Sequence, residues 1–185
     1  VEKITDMPIS FEVFADTLED MKLEALEINN WGENIYVKIP IMTTAATSTL
    51  PLIKELSEKG LRLNVTAIMT TKQVQETVDA LSLGTNNIIS VFAGRIADSG
   101  RDPIPYMAEA KKICRTKEGT ELLWASPREV LNILQAEKIG VDIITCTPEI
   151  IRKYQQVGKE LEQISLETVQ MFFNDSQSLG YKVIG

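Results

Sequence analysis

Six short runs rich in β-branched and aromatic residues recur along the chain: Phe11–Asp16, Ile35–Ile39, Leu61–Met69, Ile88–Gly94, Glu121–Ser126 and Asp142–Thr147. Most begin about 20 to 35 residues apart, the length of one strand–helix unit. Between them, apolar residues return at helical spacing. Leu18, Met21, Ala25 and Ile28 share one helix face, and Val74, Val78 and Leu81 share another. Start signals agree with these helices. Thr17 opens a T-L-E-D segment. Ser126 opens S-P-R-E, which predicts an N-cap with Pro127 in the first helical position and Glu129 closing a capping box. Thr147-Pro148-Glu149 repeats the pattern, and residues from about 165 to 179 read as a last helix that Gly180 ends.

Strands alternating with helices imply a parallel sheet joined by right-handed crossovers. No shift in composition marks a boundary, so one domain over residues 1–185 is expected. An open doubly wound sheet and a (β/α)8 TIM barrel are the competing architectures. No run is followed by GxGxxG or GxxxxGK[ST], which removes the usual support for the first. Side-chain parity favours the barrel, because residues two apart on a strand share a face. Arg62, Asn64 and Thr66 alternate with Leu61, Leu63 and Val65; Lys38 alternates with Val37 and Ile39; Glu12 alternates with Phe11 and Val13. The aliphatic face would pack on helices. The polar face would look into a barrel centre, where the carboxyl ends of the strands carry the chemistry.

Composition narrows the chemistry. The chain has 185 residues, no histidine and a formal net charge of −7. The missing histidines exclude Ser-His-Asp and Cys-His triads and the common zinc sites, so no metal is expected. The negative balance disfavours nucleic acid and anionic membranes as partners, and an anionic ligand needs a local cationic pocket. Cys114 and Cys146 form no CxxC pair, which fits a reducing, cytoplasmic setting. No apolar run is long enough to cross a bilayer.

Lys38 is the most pointed candidate. It lies inside a strand, between Val37 and Ile39 and two residues before Pro40. Burial disfavours an ammonium, and a neutral amine attacks ketones to form a Schiff base. A lysine that snorkels to the rim or pairs with a carboxylate fits the same pattern. Glu12 also reads as a solvated strand-end carboxylate, Asn64 and Thr66 as turn or ladder groups, Phe92 as packing, and Ser126 as a helix cap. Arg95 and Arg128 have Asp98 and Glu129 within reach as ion-pair partners.

The segments V-K-I-P, L-N-V-T, S-V-F-A-G-R-I-A-D and W-A-S-P-R-E-V, in this order and at strand ends, resemble the transaldolase family from about Phe11 onward. The resemblance makes Lys38 the Schiff-base nucleophile. It makes Glu12 a partner of a water in proton transfer. Asn64 and Thr66 would bind substrate hydroxyls and that water. Ser90, Phe92 and Arg95, with Ser126 and Arg128, complete the substrate site, and the two arginines and the serines would hold a phosphate. Ser126 and Arg128 would sit at a helix N-terminus, a place that attracts anions in any fold.

The implied activity is transfer of a dihydroxyacetone unit from a ketose phosphate to an aldose phosphate, without a cofactor. The alternatives are aldolase-type cleavage of fructose 6-phosphate, or a noncatalytic relative that only binds sugar phosphates. Glu12 and Phe92 favour transaldolase, since aldolase relatives carry Gln and Tyr there. A ring-type homo-oligomer, pentamer or decamer, is also implied, and Leu166–Phe173 suits either a neighbour or packing within the subunit. The family's first strand, with an Asp, and its second, with an Asn in a T-T-N-P-like motif, have no match here. The expectation is therefore a (β/α)8 barrel without its first one or two βα units, roughly 30 to 50 residues.

Overall fold

Alternating parity becomes two different surfaces on one sheet. The computed structural model describes residues 7–181, 183 and 184. Within Val1–Thr147, one of two units into which the chain divides, six strands lie in sequential order, every neighbouring pair parallel. They are β1 (Ile9–Glu12), β2 (Ile35–Pro40), β3 (Leu63–Ile68), β4 (Asn87–Val91), β5 (Thr120–Trp124) and β6 (Ile143–Ile144). The helices between them are α1 (Leu18–Asn29), α2 (Leu50–Glu58), α3 (Thr71–Ala80), α4 (Ala93–Asp98), α5 (Pro103–Cys114) and α6 (Leu131–Ile139). Sequential order with crossovers of one hand puts all the helices on one face. A doubly wound sheet would reverse its order at a switch point; this one does not, and it curls into a six-stranded parallel half-barrel.

The outer face carries the main core. Val37, Ile39, Leu63, Val65, Ile89 and Leu122 are fully buried, packed with Ala25, Ile53, Leu56, Met107 and Cys114 from the helices. Each such aliphatic side chain contributes about 1.5–3 kcal/mol on burial. A second, small cluster lies on the inner face: Tyr36, Ile88, Leu123 and Ala125, with Phe92 and Ile143 against it. Tyr36 and Ile88 stand two residues before Lys38 and Ser90 on their strands, so this cluster lies beneath the polar layer.

Caps confirm several helix starts. Thr17 Oγ1 accepts from Asp20 N at 3.2 Å, and Thr70 with Gln73 forms a reciprocal capping box on α3. Three expectations are corrected. The strand predicted over Phe11–Asp16 is Ile9–Glu12, because the N–H groups of Phe14 and Ala15 turn to the Glu24 carboxylate instead of a neighbouring strand. The run Ile88–Gly94 stops at Val91, and Ala93–Asp98 winds into α4. Ser126 caps no helix. Its φ is +56°, not the extended conformation of an N-cap, and α6 starts only at Leu131. Asn132 Oδ1 instead takes the N–H groups of Arg128 and Glu129, at 2.7 and 3.1 Å.

The unit Pro148–Gly185 contains α7 (Pro148–Tyr154) and α8 (Leu161–Ser178). Pro148 opens α7, as its spacing predicts. The predicted terminal helix is longer than expected, ending at Ser178 ahead of Gly180, whose φ is +71°.

Candidate functional site

The inner face of the sheet opens into a cavity of about 300 Å³ at the carboxyl ends of the strands. Ser10, Lys38, Asn64, Thr66, Ser90 and Phe92 line it, each on the inward parity of its strand or just beyond, and Ser126 and Thr145 complete the wall. A larger cleft of about 500 Å³ lies between α5 and α6 on the helical layer. It contains none of these groups, and we place the site where polar side chains from several strands converge.

Register brings the central groups side by side. Glu12 is level with Lys38, and Lys38 with Asn64. Lys38 Nζ donates to Glu12 Oε2 at 3.0 Å. The Lys38 side chain is 29% exposed, neither sealed from water nor turned out into it. Next to this pair, Asn64 joins β1 to β4 across the lysine-bearing strand: its Nδ2 donates to Ser10 Oγ at 3.0 Å, and its Oδ1 accepts from Ser90 Oγ at 2.7 Å. Among the described residues, Thr66 Oγ1 is buried without a hydrogen-bond partner. A buried hydroxyl left unpaired is costly and calls for an explanation.

Backbone strain marks the same region. Ala67, directly after Thr66, has φ +60°, where the β3–β4 register shifts between Val65 and Ile68. Ser126 is the second strained residue at the cavity. L-residues in this conformation are destabilised by roughly 1 kcal/mol or more and cluster at functional sites. At the rim, Asp16 accepts from the Thr44 hydroxyl and, at 2.8 Å, from the Thr44 N–H. These bonds hold the Asp16 carboxyl below the usual carboxylate range, the hydroxyl contributing most.

The two arginines stand apart from this wall. Arg95 is exposed on α4, and Arg128 is exposed on the segment between β5 and α6. Arg128 makes a two-pronged ion pair with Asp98, its Nε donating to Oδ1 at 3.0 Å and its Nη2 to Oδ2. Sequence reasoning missed Ser10, although it shares the strand and the parity of Glu12. It named Asp98 only as one of two possible ion-pair partners.

The sequence matches the family model described as transaldolase/fructose-6-phosphate aldolase over residues 1–183. The chain belongs to this family. It is 31% identical over 184 residues to a probable transaldolase of Thermoanaerobacter sp. (strain X514), a match covering 99% of this chain and 79% of that one. It is 30% identical over 169 residues to a probable transaldolase of Nitrosopumilus maritimus (strain SCM1), covering 90% and 72%. Among solved structures, orotidine 5'-phosphate decarboxylase from Lactobacillus acidophilus has a similar backbone, with a TM-score of 0.57 at 15% identity over 82% of this chain and 76% of that one. That likeness concerns the fold alone. Among the described residues no helix is long and apolar enough to cross a membrane, and no group of three His, Cys, Asp or Glu is placed to hold a metal ion.

Proposed function

We propose that this transaldolase-family chain transfers a dihydroxyacetone unit between sugar phosphates through a Schiff base on Lys38. The observation that carries the reading is Lys38 in a cavity shared with Asn64, Thr66 and Ser90, its Nζ paired at 3.0 Å with Glu12, which stands on β1 beside that cavity and outside its lining. On this reading the curled sheet is an arc of a (β/α)8 barrel, and its inner face is the reaction chamber.

The deprotonated Lys38 amine attacks the ketone carbon of a ketose phosphate, forming a C–N bond. The carbinolamine loses its oxygen as water and becomes an iminium. Cleavage of the bond between the α and β carbons sends its electron pair into the iminium, giving an enamine, while the β carbon and its hydroxyl become the aldehyde of the released aldose phosphate. The hydroxyl proton released with the aldose phosphate passes through water to Glu12, the carboxylate nearest the nitrogen. An acceptor aldose phosphate then takes the three-carbon unit by the reverse steps, and hydrolysis frees Lys38, giving ping-pong kinetics. The unpaired Thr66 hydroxyl is available to hold the working water, and the Asn64 amide, fixed from both sides, to orient a substrate hydroxyl. Ser126, Arg95 and Arg128 would take the phosphate.

Borohydride reduction in the presence of fructose 6-phosphate tests this. A stable adduct should map to the Lys38 peptide by mass spectrometry and vanish in Lys38→Ala. An adduct that persists in that variant sinks the proposal. Steady release of free dihydroxyacetone without an acceptor aldose would point instead to aldolase chemistry at the same lysine.

A further inference from the structure

Arg128 is carried by a segment with little regular structure of its own, between the end of β5 at Trp124 and the start of α6 at Leu131. An anion subsite built on such a segment needs something else to fix it, because a free guanidinium loses rotamer entropy on binding. The short helix α4 supplies two contacts to this segment. Gly94 N donates to Ala125 O at 3.4 Å, and a Cβ on Gly94 would lie 2.7 Å from the Ser126 carbonyl carbon. One turn further, on the same face of α4, Asp98 holds Arg128 through both Nε and Nη2.

We infer that Asp98 is a positioning residue of the anion subsite, presenting the free edge of Arg128 to the substrate phosphate. The inference rests on the reading above, in which Arg128 binds that phosphate. A guanidinium has five N–H donors. Asp98 takes one from Nε and one from Nη2, and leaves the Nη1 edge for a second, planar anion contact. The pair itself contributes little stability, since its side chains are 48% and 53% exposed and such pairs are strongly screened. Its geometry is what matters: two parallel hydrogen bonds set the plane of the guanidinium, which a single contact to a carboxylate would leave free to turn. Asp98 also offsets the charge of Arg128, so it does not serve affinity as a charge. It serves by orientation.

The two effects predict opposite signs, and kinetics separates them. Asp98→Asn keeps the shape and removes the charge-assisted pair. KM for fructose 6-phosphate should rise about tenfold while kcat moves less than about threefold. The half-saturating concentration of dihydroxyacetone in borohydride trapping should move less than about threefold, because that ligand has no phosphate. Asp98→Glu, which restores a carboxylate, should return KM to within about threefold of the parent. In an Arg128→Ala background, adding Asp98→Asn should have no further effect on KM. A lower or unchanged KM in Asp98→Asn overturns the inference: Asp98 would then compete with the anion, or do nothing for it. If Arg128→Ala itself leaves KM unchanged, the assignment of phosphate to Arg128 fails first, and this inference falls with it.

Discussion

Ser90 Oγ donates to Asn64 Oδ1 at 2.7 Å, and both residues are almost wholly buried, at 2% and 4% exposure. Ser10 receives the other end of the amide, so the two hydroxyls together set its plane. Removing the Ser90 hydroxyl leaves a carbonyl oxygen buried with no donor. Ser90→Ala should therefore reduce unfolding free energy by about 1–3 kcal/mol. Ser10→Ala should cost less than about 1 kcal/mol, since Ser10 is exposed and water can replace it. Urea denaturation of the two variants gives both numbers, and equal losses would contradict the burial argument.

Gly94→Ala tests how tightly α4 is seated. The added methyl would meet the Ser126 backbone, which cannot move aside as a flexible side chain does. A loss of about 2 kcal/mol or more is expected in the same denaturation experiment, against about 1 kcal/mol for alanine at Gly60, an exposed position where a Cβ has open space and only the φ of +85° strains it.

The thiols should differ sharply in reactivity. Burial pushes the Cys114 thiol up to about 12, so it stays protonated and inaccessible at any working pH. Cys146 is only partly buried, though burial raises its thiol as well. With Ellman's reagent at pH 8, one thiol per chain should react in the native protein, slowly, and the second only after denaturation. Rapid labelling of Cys114 would show that α5 opens readily.

The Asp16–Thr44 bonds predict a pH effect at the cavity rim. The folded-state carboxyl lies below its ordinary value, so the unfolded chain binds the proton first. Whatever these bonds contribute to stability is complete above about pH 4 and disappears as pH falls further. In Asp16→Asn this part of the acid dependence should be absent. Parallel pH titrations of the melting temperature would reveal the difference below about pH 4, and identical curves would rule it out.

Part of the cavity wall was legible from parity. Lys38, Asn64 and Thr66 alternate with aliphatic neighbours and line the cavity, whereas Glu12 and Arg62, of the same parity, do not, and Ser90 was named only through the family resemblance. Repeated strand–helix spacing was enough for the parallel order as well. What sequence could not supply came from contacts between distant segments. Ser126 carries every local mark of a helix cap, yet the seat formed by Gly94 and the reach of Asn132 give it a left-handed backbone and delay α6 to Leu131. The end of β1 moved for a similar reason: Glu24, on the following helix, draws two backbone donors away from the sheet. Arg128 had two acidic residues within plausible reach, and only the three-dimensional path of α4 selects Asp98 over Glu129.

The amino ends of the strands are fastened by a separate set of side chains. Lys117 gives its ammonium to the carbonyls of Val78 and Leu81 at the end of α3. Asn87 receives the Leu63 N–H at 3.0 Å, and Asp142 receives the Leu122 N–H at 2.8 Å while gripping Lys111. None of these groups lines the cavity that contains Lys38. A mutagenesis campaign could thus reshape the cavity rim while the opposite rim goes on anchoring the scaffold, and could harden that scaffold without touching the cavity.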